Sequence, residues 1–266
     1  MATKLLGKTI SLIPITLFLV VCNLLVIQFF DIQASRWARL TSFIILFVLF
    51  GIQKKHIHPL LVTVLIFLFL RDIAVLFYEK PLLKTLAFVG SIGAYVTSIF
   101  FVMGRLNFSE LTAKVWLFIL AMVGINIFNV YYLSDVIIPS LDNSIQLVLF
   151  FTQSAVILFL ALFAYLYFEY FEGKHPMQYL FFAFAFIMAD LCGLVAYFFG
   201  VEPAYFLERT FYILGLALLI NFARNYRSEK LQLNTLRSAT FSDASEDSSE
   251  QKSAVEAQYF EKRWFI

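Results

Sequence analysis

The sequence predicts an all-α membrane protein, built as a compact bundle of eight transmembrane helices with both termini in the cytoplasm. Of its 266 residues, 61% are hydrophobic and only 14% are charged, whereas a soluble domain carries about 25% charged residues. The mean hydropathy is +0.84. Apolar runs of roughly 17 to 25 residues, the length that crosses a bilayer, recur along the chain. We therefore expect a multi-pass protein of the cell membrane, in particular of the bacterial inner membrane.

Eight apolar runs are predicted to be the transmembrane helices. The first is as long as a full span and no small-x-small cleavage site follows it, so we expect an uncleaved helix rather than a signal peptide. The connections are short, which favours antiparallel neighbours. The predicted spans are residues 10–30, 36–52, 57–78, 83–104, 113–132, 145–168, 178–199 and 204–223.

The loops and the tail indicate how the chain is oriented and divided. Lysine and arginine are enriched in cytoplasmic loops, and they concentrate on the side of the predicted bundle that carries both termini. Residues 1–226 form the predicted transmembrane domain, and residues 227–266 form a cytoplasmic tail, of which Arg227 to Leu236 could extend the last helix. From Ser238 this tail is rich in serine and acidic residues, so we expect it to be largely disordered.

Several classes of function are excluded by the composition. The net charge is +2, which is too small to indicate a nucleic-acid partner. Cys22 and Cys192 both fall in apolar runs, so they indicate neither a disulfide framework nor a metal site. The three histidines lie in or beside predicted loops, which argues against a zinc hydrolase and against a serine hydrolase with a histidine base. No metal or cofactor is expected.

Two aspartates inside apolar runs are the candidate functional residues, Asp72 in the third span and Asp190 in the seventh. An ionised group near the middle of a membrane helix costs roughly 2.5 to 3.5 kcal/mol on insertion scales, and such groups mark functional sites by default. Their contexts, Arg71–Asp72 and Ala189–Asp190, differ from the motifs of intramembrane aspartyl proteases. The alternative is structural: Asp72 could pair with Arg71 or Arg209, and Asp190 could hydrogen-bond a neighbouring helix.

Other polar residues in the spans predict a polar cavity in the outer half of the bundle. Buried amides need hydrogen-bond partners, so amides inside apolar runs are informative. The candidate substrate-binding residues are Arg71, Asn126, Asn129, Gln153, Arg209 and Tyr212.

The third and seventh spans share a pattern that predicts an internal repeat. Each carries an aspartate, then an aromatic pair, then a short loop with glutamate and proline. Two four-helix halves related by a parallel repeat would place these two spans in equivalent positions.

The chain resembles the YhhN/lysoplasmalogenase-like family of eight-helix membrane proteins, in layout and in two stretches. That family carries an aspartate after glycine in its third helix and an aspartate after serine in its seventh, where this chain has Arg71 and Ala189 before the aspartates. The matching stretches are Leu68 to Phe77 and Phe184 to Leu214, the latter with Asp190, Phe198, Pro203, Phe211 and Tyr212.

The resemblance implies a hydrolase of lipid metabolism that cleaves the vinyl-ether bond of a lysophospholipid and releases a fatty aldehyde. It implies Asp190 as the acid that protonates the vinyl-ether carbon and Asp72 as the carboxylate that stabilises the resulting cation. Arg71 or Arg209 would lie near the lipid phosphate. The expected partners are a membrane lipid or lysophospholipid and the bilayer. A non-enzymatic lipid-binding protein, a transporter or a membrane sensor is the alternative.

Overall fold

The computed structural model describes residues 12–53, 58–106, 113–171 and 173–243, and some side chains within these ranges, many of them in the fifth helix, lie outside the description. The described residues form eight long helices and one short 3₁₀ turn, with no strand among them. The helices are α1 (Leu12–Phe29), α2 (Ile32–Gln53), α3 (Pro59–Leu76), α4 (Pro81–Met103), α5 (Ala113–Ile137), α6 (Ser144–Tyr170), α7 (Lys174–Phe199) and α8 (Glu202–Asp243), and the turn is Ile138–Ser140.

Local sequence signals set several of the helix ends. Pro59 and Pro81 occupy the first turns of α3 and α4, where the missing N–H has no helical partner to lose. Asn143 caps α6, since its Oδ1 accepts a hydrogen bond from the backbone N–H of Gln146 at 2.9 Å. Gly200, with a φ of 65°, ends α7 in the left-handed region that glycine adopts readily. These short connections keep consecutive helices adjacent.

Seven of the described helices are long and apolar enough to cross a membrane: α1, α2, α3, α4, α6, α7 and α8 as far as Arg224. Large apolar side chains cover their outer surface, for example Phe18 and Phe100, which are 66% and 60% exposed. An outer surface of this kind suits contact with lipid rather than with water. The prediction of an all-helical fold is therefore confirmed for the described residues, and the length and composition of these seven helices support a multi-pass membrane protein.

The helices pack as a ring of seven with α5 on its outside. Around the ring, α1 contacts α2, α2 contacts α3, α3 contacts α4, α4 contacts α6, α6 contacts α7, α7 contacts α8, and α8 closes on α1. α2 and α8 also touch, while α5 packs mainly against α6. Aromatic side chains fill much of the core, among them Tyr179, Phe182, Phe186 and Phe222.

Two glycines let α3 and α4 approach closely. A Cβ added at Gly90 would lie 3.0 Å from both the Cβ of Arg71 and the carbonyl oxygen of Phe67. A Cβ added at Gly93 would lie 2.6 Å from the ring of Phe67. The two helix backbones are thus brought together at the height of Arg71.

The last helix extends beyond the predicted transmembrane domain. α8 runs to Asp243, so the tail that was expected to be disordered from Ser238 is helical through Asp243. The rest of the predicted tail, residues 244–266, lies outside the described residues.

Candidate functional site

Six charged side chains are buried together inside the ring of helices. They are three arginines and three carboxylates, Arg39, Arg71, Arg209, Asp72, Asp190 and Glu208, and none of the six side chains is more than 10% exposed. Their formal charges cancel when all are ionised. Because burying an ion is costly unless it is paired and hydrogen-bonded, the pairing of these groups decides whether the bundle is stable.

Asp190 on α7 is held by donors from three other helices. Its Oδ1 accepts a hydrogen bond from Nη2 of Arg71 at 2.6 Å. Its Oδ2 accepts from the hydroxyl of Tyr95 at 2.6 Å and from Nε2 of Gln153 at 3.0 Å. Arg71 also donates to the hydroxyl of Tyr95 at 3.2 Å. Asp190 is therefore tied to α3, α4 and α6 at one point.

Asp72 on α3 has a second, separate set of partners. Its Oδ1 accepts a hydrogen bond from Nε of Arg39 at 3.0 Å, and its Oδ2 accepts one from the hydroxyl of Tyr212. The guanidinium carbon of Arg39 lies 3.9 Å from the centre of the Tyr212 ring, a distance suited to a cation–π contact. Asp72 thus joins α3 to α2 and α8.

Arg39 connects Asp72 to a third carboxylate, Glu208. Nη1 of Arg39 donates to Oε1 of Glu208 at 2.6 Å. The other oxygen, Oε2, accepts no hydrogen bond, although it lies 3.4 Å from Nε of Arg209. Arg209 directs its remaining donors to Ser35, to the carbonyl oxygen at 3.0 Å and to Oγ at 3.1 Å.

A cavity of about 180 Å³ lies against this network. It reaches towards the connection between α3 and α4 through Tyr78, and its other walls are largely apolar. Asp72 is not among the residues that line it. The residues that line it include Arg39, Arg71, Phe88, Phe150, Gln153, Asp190, Gly193, Phe198 and Glu208.

Tyr78 lines the cavity at that connection, and two ion pairs lie close to it, Lys84–Asp142 and Arg36–Glu79. Burial raises the pKa of Tyr78 to about 12, so its hydroxyl stays protonated at physiological pH. Nζ of Lys84 lies 5.6 Å from the centre of the Tyr78 ring and 2.8 Å from Oδ2 of Asp142. The hydrogen bond from Arg36 lowers the pKa of Glu79.

The structure brings together some of the predicted site residues and separates others. Asp190, Arg71 and Gln153 meet at the cavity, whereas Asp72 and Tyr212 form a buried pair behind it. Arg209 is turned towards Ser35 and does not line the cavity. Asn126 and Asn129 are on α5, outside the ring, and their side chains lie outside the described part of the structure.

Three residues of the site were missed as candidates: Arg39, Tyr95 and Glu208. Arg39 stood near the end of a predicted span, where an arginine is common. Glu208 stood beside Arg209, close to the start of the last span. α2 begins at Ile32, four residues before the predicted span, and α8 begins at Glu202, two residues before it, so Arg39 and Glu208 lie deeper in their helices than predicted. Tyr95 lies in the middle of α4, as predicted, and only its hydrogen bond to Asp190 identifies it.

Fold and site together define a multi-pass helical membrane protein with a buried network of arginines, carboxylates and tyrosines beside a partly apolar cavity. No protein-family model, no curated protein and no solved structure matches the chain. The resemblance to the YhhN family therefore stays a prediction from the sequence.

Proposed function

We propose that the protein is a membrane hydrolase that cleaves the vinyl-ether bond of a lysophospholipid at the cavity beside Asp190. The observation that supports this most directly is the position of the Asp190 carboxylate. It lies on a cavity with apolar walls and is fixed by three donors. A carboxylate held in place in this way suits the stabilisation of a developing cation.

The hydrogen bonds favour a different division of roles from the one that the resemblance implied. Arg71 and Gln153 can only donate to Asp190, because a guanidinium and an amide NH₂ carry no acceptor. Asp190 therefore serves as the anion that stabilises the oxocarbenium-like cation, as a carboxylate does in glycoside hydrolysis. Asp72, shielded from the cavity, acts on Arg39, whose guanidinium it orients.

The cavity suits one part of a lipid rather than a whole molecule. Its volume of about 180 Å³ is below the roughly 300 to 1,000 Å³ of ligand pockets in general. Phe88, Phe150 and Phe198 line it and offer contacts to the alkenyl chain. The vinyl-ether oxygen would lie towards Arg71 and Gln153, and the rest of the chain would extend into the surrounding lipid.

The two aspartates support the proposed division into two four-helix halves. Asp72, on the third helix of the first half, accepts from a tyrosine on the last helix of the second half. Asp190, on the third helix of the second half, accepts from a tyrosine on the last helix of the first half. The contact of α4 with α6 is likewise matched by the contact of α8 with α2. On the basis of the loop charges, we further propose that both termini lie in the cytoplasm. The membrane that we propose for this protein is the bacterial inner membrane.

The test is aldehyde release by the purified protein from lysoplasmalogens with choline or ethanolamine head groups. We expect release by the wild type and a decrease of about 100-fold or more in kcat for Asp190→Asn. Asp31→Asn is the matched control, because Asp31 only caps α2 through its Oδ1 and asparagine keeps that oxygen. Absence of release by the wild type, or equal release by Asp190→Asn, would refute the proposal.

The matched halves favour a second candidate, proton-coupled transport of a small solute. Many transporters consist of two structural repeats with the binding site between them. Proteoliposomes that acidify or alkalise when a solute gradient is applied, with no aldehyde release from any lipid, would support transport over hydrolysis.

A further inference from the structure

We propose that lipid enters the cavity sideways from the bilayer, through a slot between α6 and α7 that holds one hydrocarbon chain. The slot is the part of the cavity lined by Ser154 and Ile157 on α6 and by Leu191 and Leu194 on α7. The identity of the lipid, a lysophospholipid, rests on the proposed function, whereas the slot is a property of the cavity walls.

Leu191 belongs both to the cavity and to the outer surface of the bundle. Among the described residues that line the cavity, it alone is exposed rather than buried or half-buried, at 40%. It also continues the outward-facing stripe of α7, which includes Phe184 at 54% and Val195 at 36%, because residues four and seven apart share a helix face. The cavity therefore reaches the surface that the bundle presents to lipid.

The edge of α7 that carries Leu191 faces α6. A Cβ added at Gly193 would lie 3.4 Å from the Cγ of Glu208, so Gly193 marks the edge of α7 that packs against α8. Leu191 stands two residues earlier and therefore points about 200° away around the helix. Since α7 lies between α6 and α8 in the ring, the opening at Leu191 is on the side of α6.

α6 is the least buried of the seven helices that are apolar enough to span a membrane. Only 17% of its 18-residue apolar window is buried, against 28% for α1 and 44% for α7. Ser154 and Ile157, three residues apart on its cavity face, are both half-buried. A helix with so few buried contacts moves away from its neighbour more easily than a helix of the core, so α6 is the wall that can yield when a chain enters.

The two ends of the cavity differ in polarity, which sets the direction of the lipid. At the α3–α4 connection Lys84 pairs with Asp142 at 2.8 Å, and α6 begins beside this pair at Ser144. Ile157 lies about 20 Å further along α6, at 1.5 Å per residue, and packs against the apolar core. A single-chain lipid therefore fits with its head group at the ion pair, its linkage beside Asp190 and its chain in the slot.

The polar level of the cavity suits an uncharged linkage. Arg71 and Asp190 neutralise each other at 2.6 Å, and Gln153 adds an amide that donates to Asp190. An ion buried at this level would need a counter-charge of its own, whereas an ether oxygen needs none. The chain and its ether linkage thus lie inside the bundle, and the phosphate stays outside it.

The experiment is photolabelling of the full chain in liposomes. The probe is a lysophosphocholine with a saturated ether chain that carries a diazirine at its middle, since this lipid has no vinyl group to cleave. We expect labelled peptides from α6 and α7 around the slot, and an excess of the same lipid without diazirine should suppress this label, whereas an excess of diacyl phosphatidylcholine should not.

Two tryptophan variants test the slot itself. Leu191→Trp should lower the competable label about tenfold, because the indole overfills the slot, and Ser154→Trp should do the same from α6. Phe184→Trp is the matched control on the same stripe of α7 and should label like the wild type. Label that the unmodified lipid does not suppress, or equal competable label in both blocking variants and the control, overturns the proposal.

Kinetics separates the slot from the hydrolase. With an active wild type, Leu191→Trp should raise KM about tenfold with little change in kcat, because it removes binding and leaves the reacting groups in place. Asp190→Asn should instead lower kcat. An unchanged KM in Leu191→Trp would overturn the role of the slot, whereas competable label without any aldehyde from the wild type would support the slot and refute the hydrolase.

Discussion

Replacement of Arg39 by glutamine should destabilise the protein strongly. Arg39 is 3% exposed and neutralises two carboxylates at once, Asp72 at 3.0 Å and Glu208 at 2.6 Å. Removing one partner of a buried ion pair costs about 3 to 5 kcal/mol, because the remaining charge stays buried. Since about 1.4 kcal/mol is tenfold in an equilibrium constant, the folding equilibrium of Arg39→Gln should shift by roughly 100- to 4,000-fold.

The measurement is reversible unfolding in mixed micelles, and the same helix offers the matched control. Arg36 also pairs with a carboxylate, but that carboxylate, on Glu79, is 68% exposed. Water can solvate Glu79 when its partner is removed, so Arg36→Gln should cost no more than about 1 kcal/mol. The contrast between the two variants isolates the effect of burial from the loss of an arginine on α2.

A compensating variant tests the reason as well as the magnitude. Adding Asp72→Asn to Arg39→Gln removes the carboxylate that loses its cationic partner, while Glu208 keeps its ion pair with Arg209, and neutral replacements of a buried ion pair are often well tolerated. The double variant should therefore recover most of the lost stability. Equal unfolding free energies for Arg39→Gln and Arg36→Gln, or no recovery in the double variant, would refute the account of a charge-paired core.

Two further predictions concern the contact of α3 with α4 and the Arg36–Glu79 ion pair. Gly93→Ala should lower the unfolding free energy by about 1 to 3 kcal/mol, because its Cβ would lie 2.6 Å from the ring of Phe67. Gly124→Ala is the control, and it should not lower the unfolding free energy, because the space around Gly124 is open. Unfolding titrations of both variants check this prediction. The hydrogen bond from Arg36 lowers the pKa of Glu79 below its ordinary 4.5, so its stabilising contribution is present above pH 4.5 and is lost as the pH falls through the folded-state pKa. Arg36→Gln should remove this small acid-dependent component from stability curves measured against pH, and an unchanged curve would contradict the assignment.

Much of the helical layout could be predicted from the sequence. Spans such as α1 and α6 can be recognised from their long apolar runs without a charged residue, which are a property of the chain alone. The ends were less predictable, because the neighbouring helices bury charged residues near the start of α2 and α8. Arg39 and Glu208 lie about two turns into these helices and near the start of the predicted spans, so their charges suggested the edge of the membrane rather than the interior of the bundle.

The pairing of the charges could not be predicted, and helix geometry explains why. Arg71 and Asp72 are adjacent in sequence, which suggested that they neutralise one another. Consecutive residues on a helix point about 100° apart, so the two side chains face different neighbours. Arg71 meets Asp190, 119 positions away, and Asp72 meets Arg39. Which helix stands opposite each residue is a property of the packed ring.

The closure of the ring between the first and last helices has a consequence for biosynthesis. Chains enter the membrane from the N-terminus, so Arg39 and Asp72 are inserted long before α8, which supplies Tyr212 and Glu208. Before α8 is inserted, Asp72 and Arg39 have each other as hydrogen-bond partners but lack Tyr212 and Glu208. The last helix therefore completes the hydrogen bonds of the polar core when it is inserted.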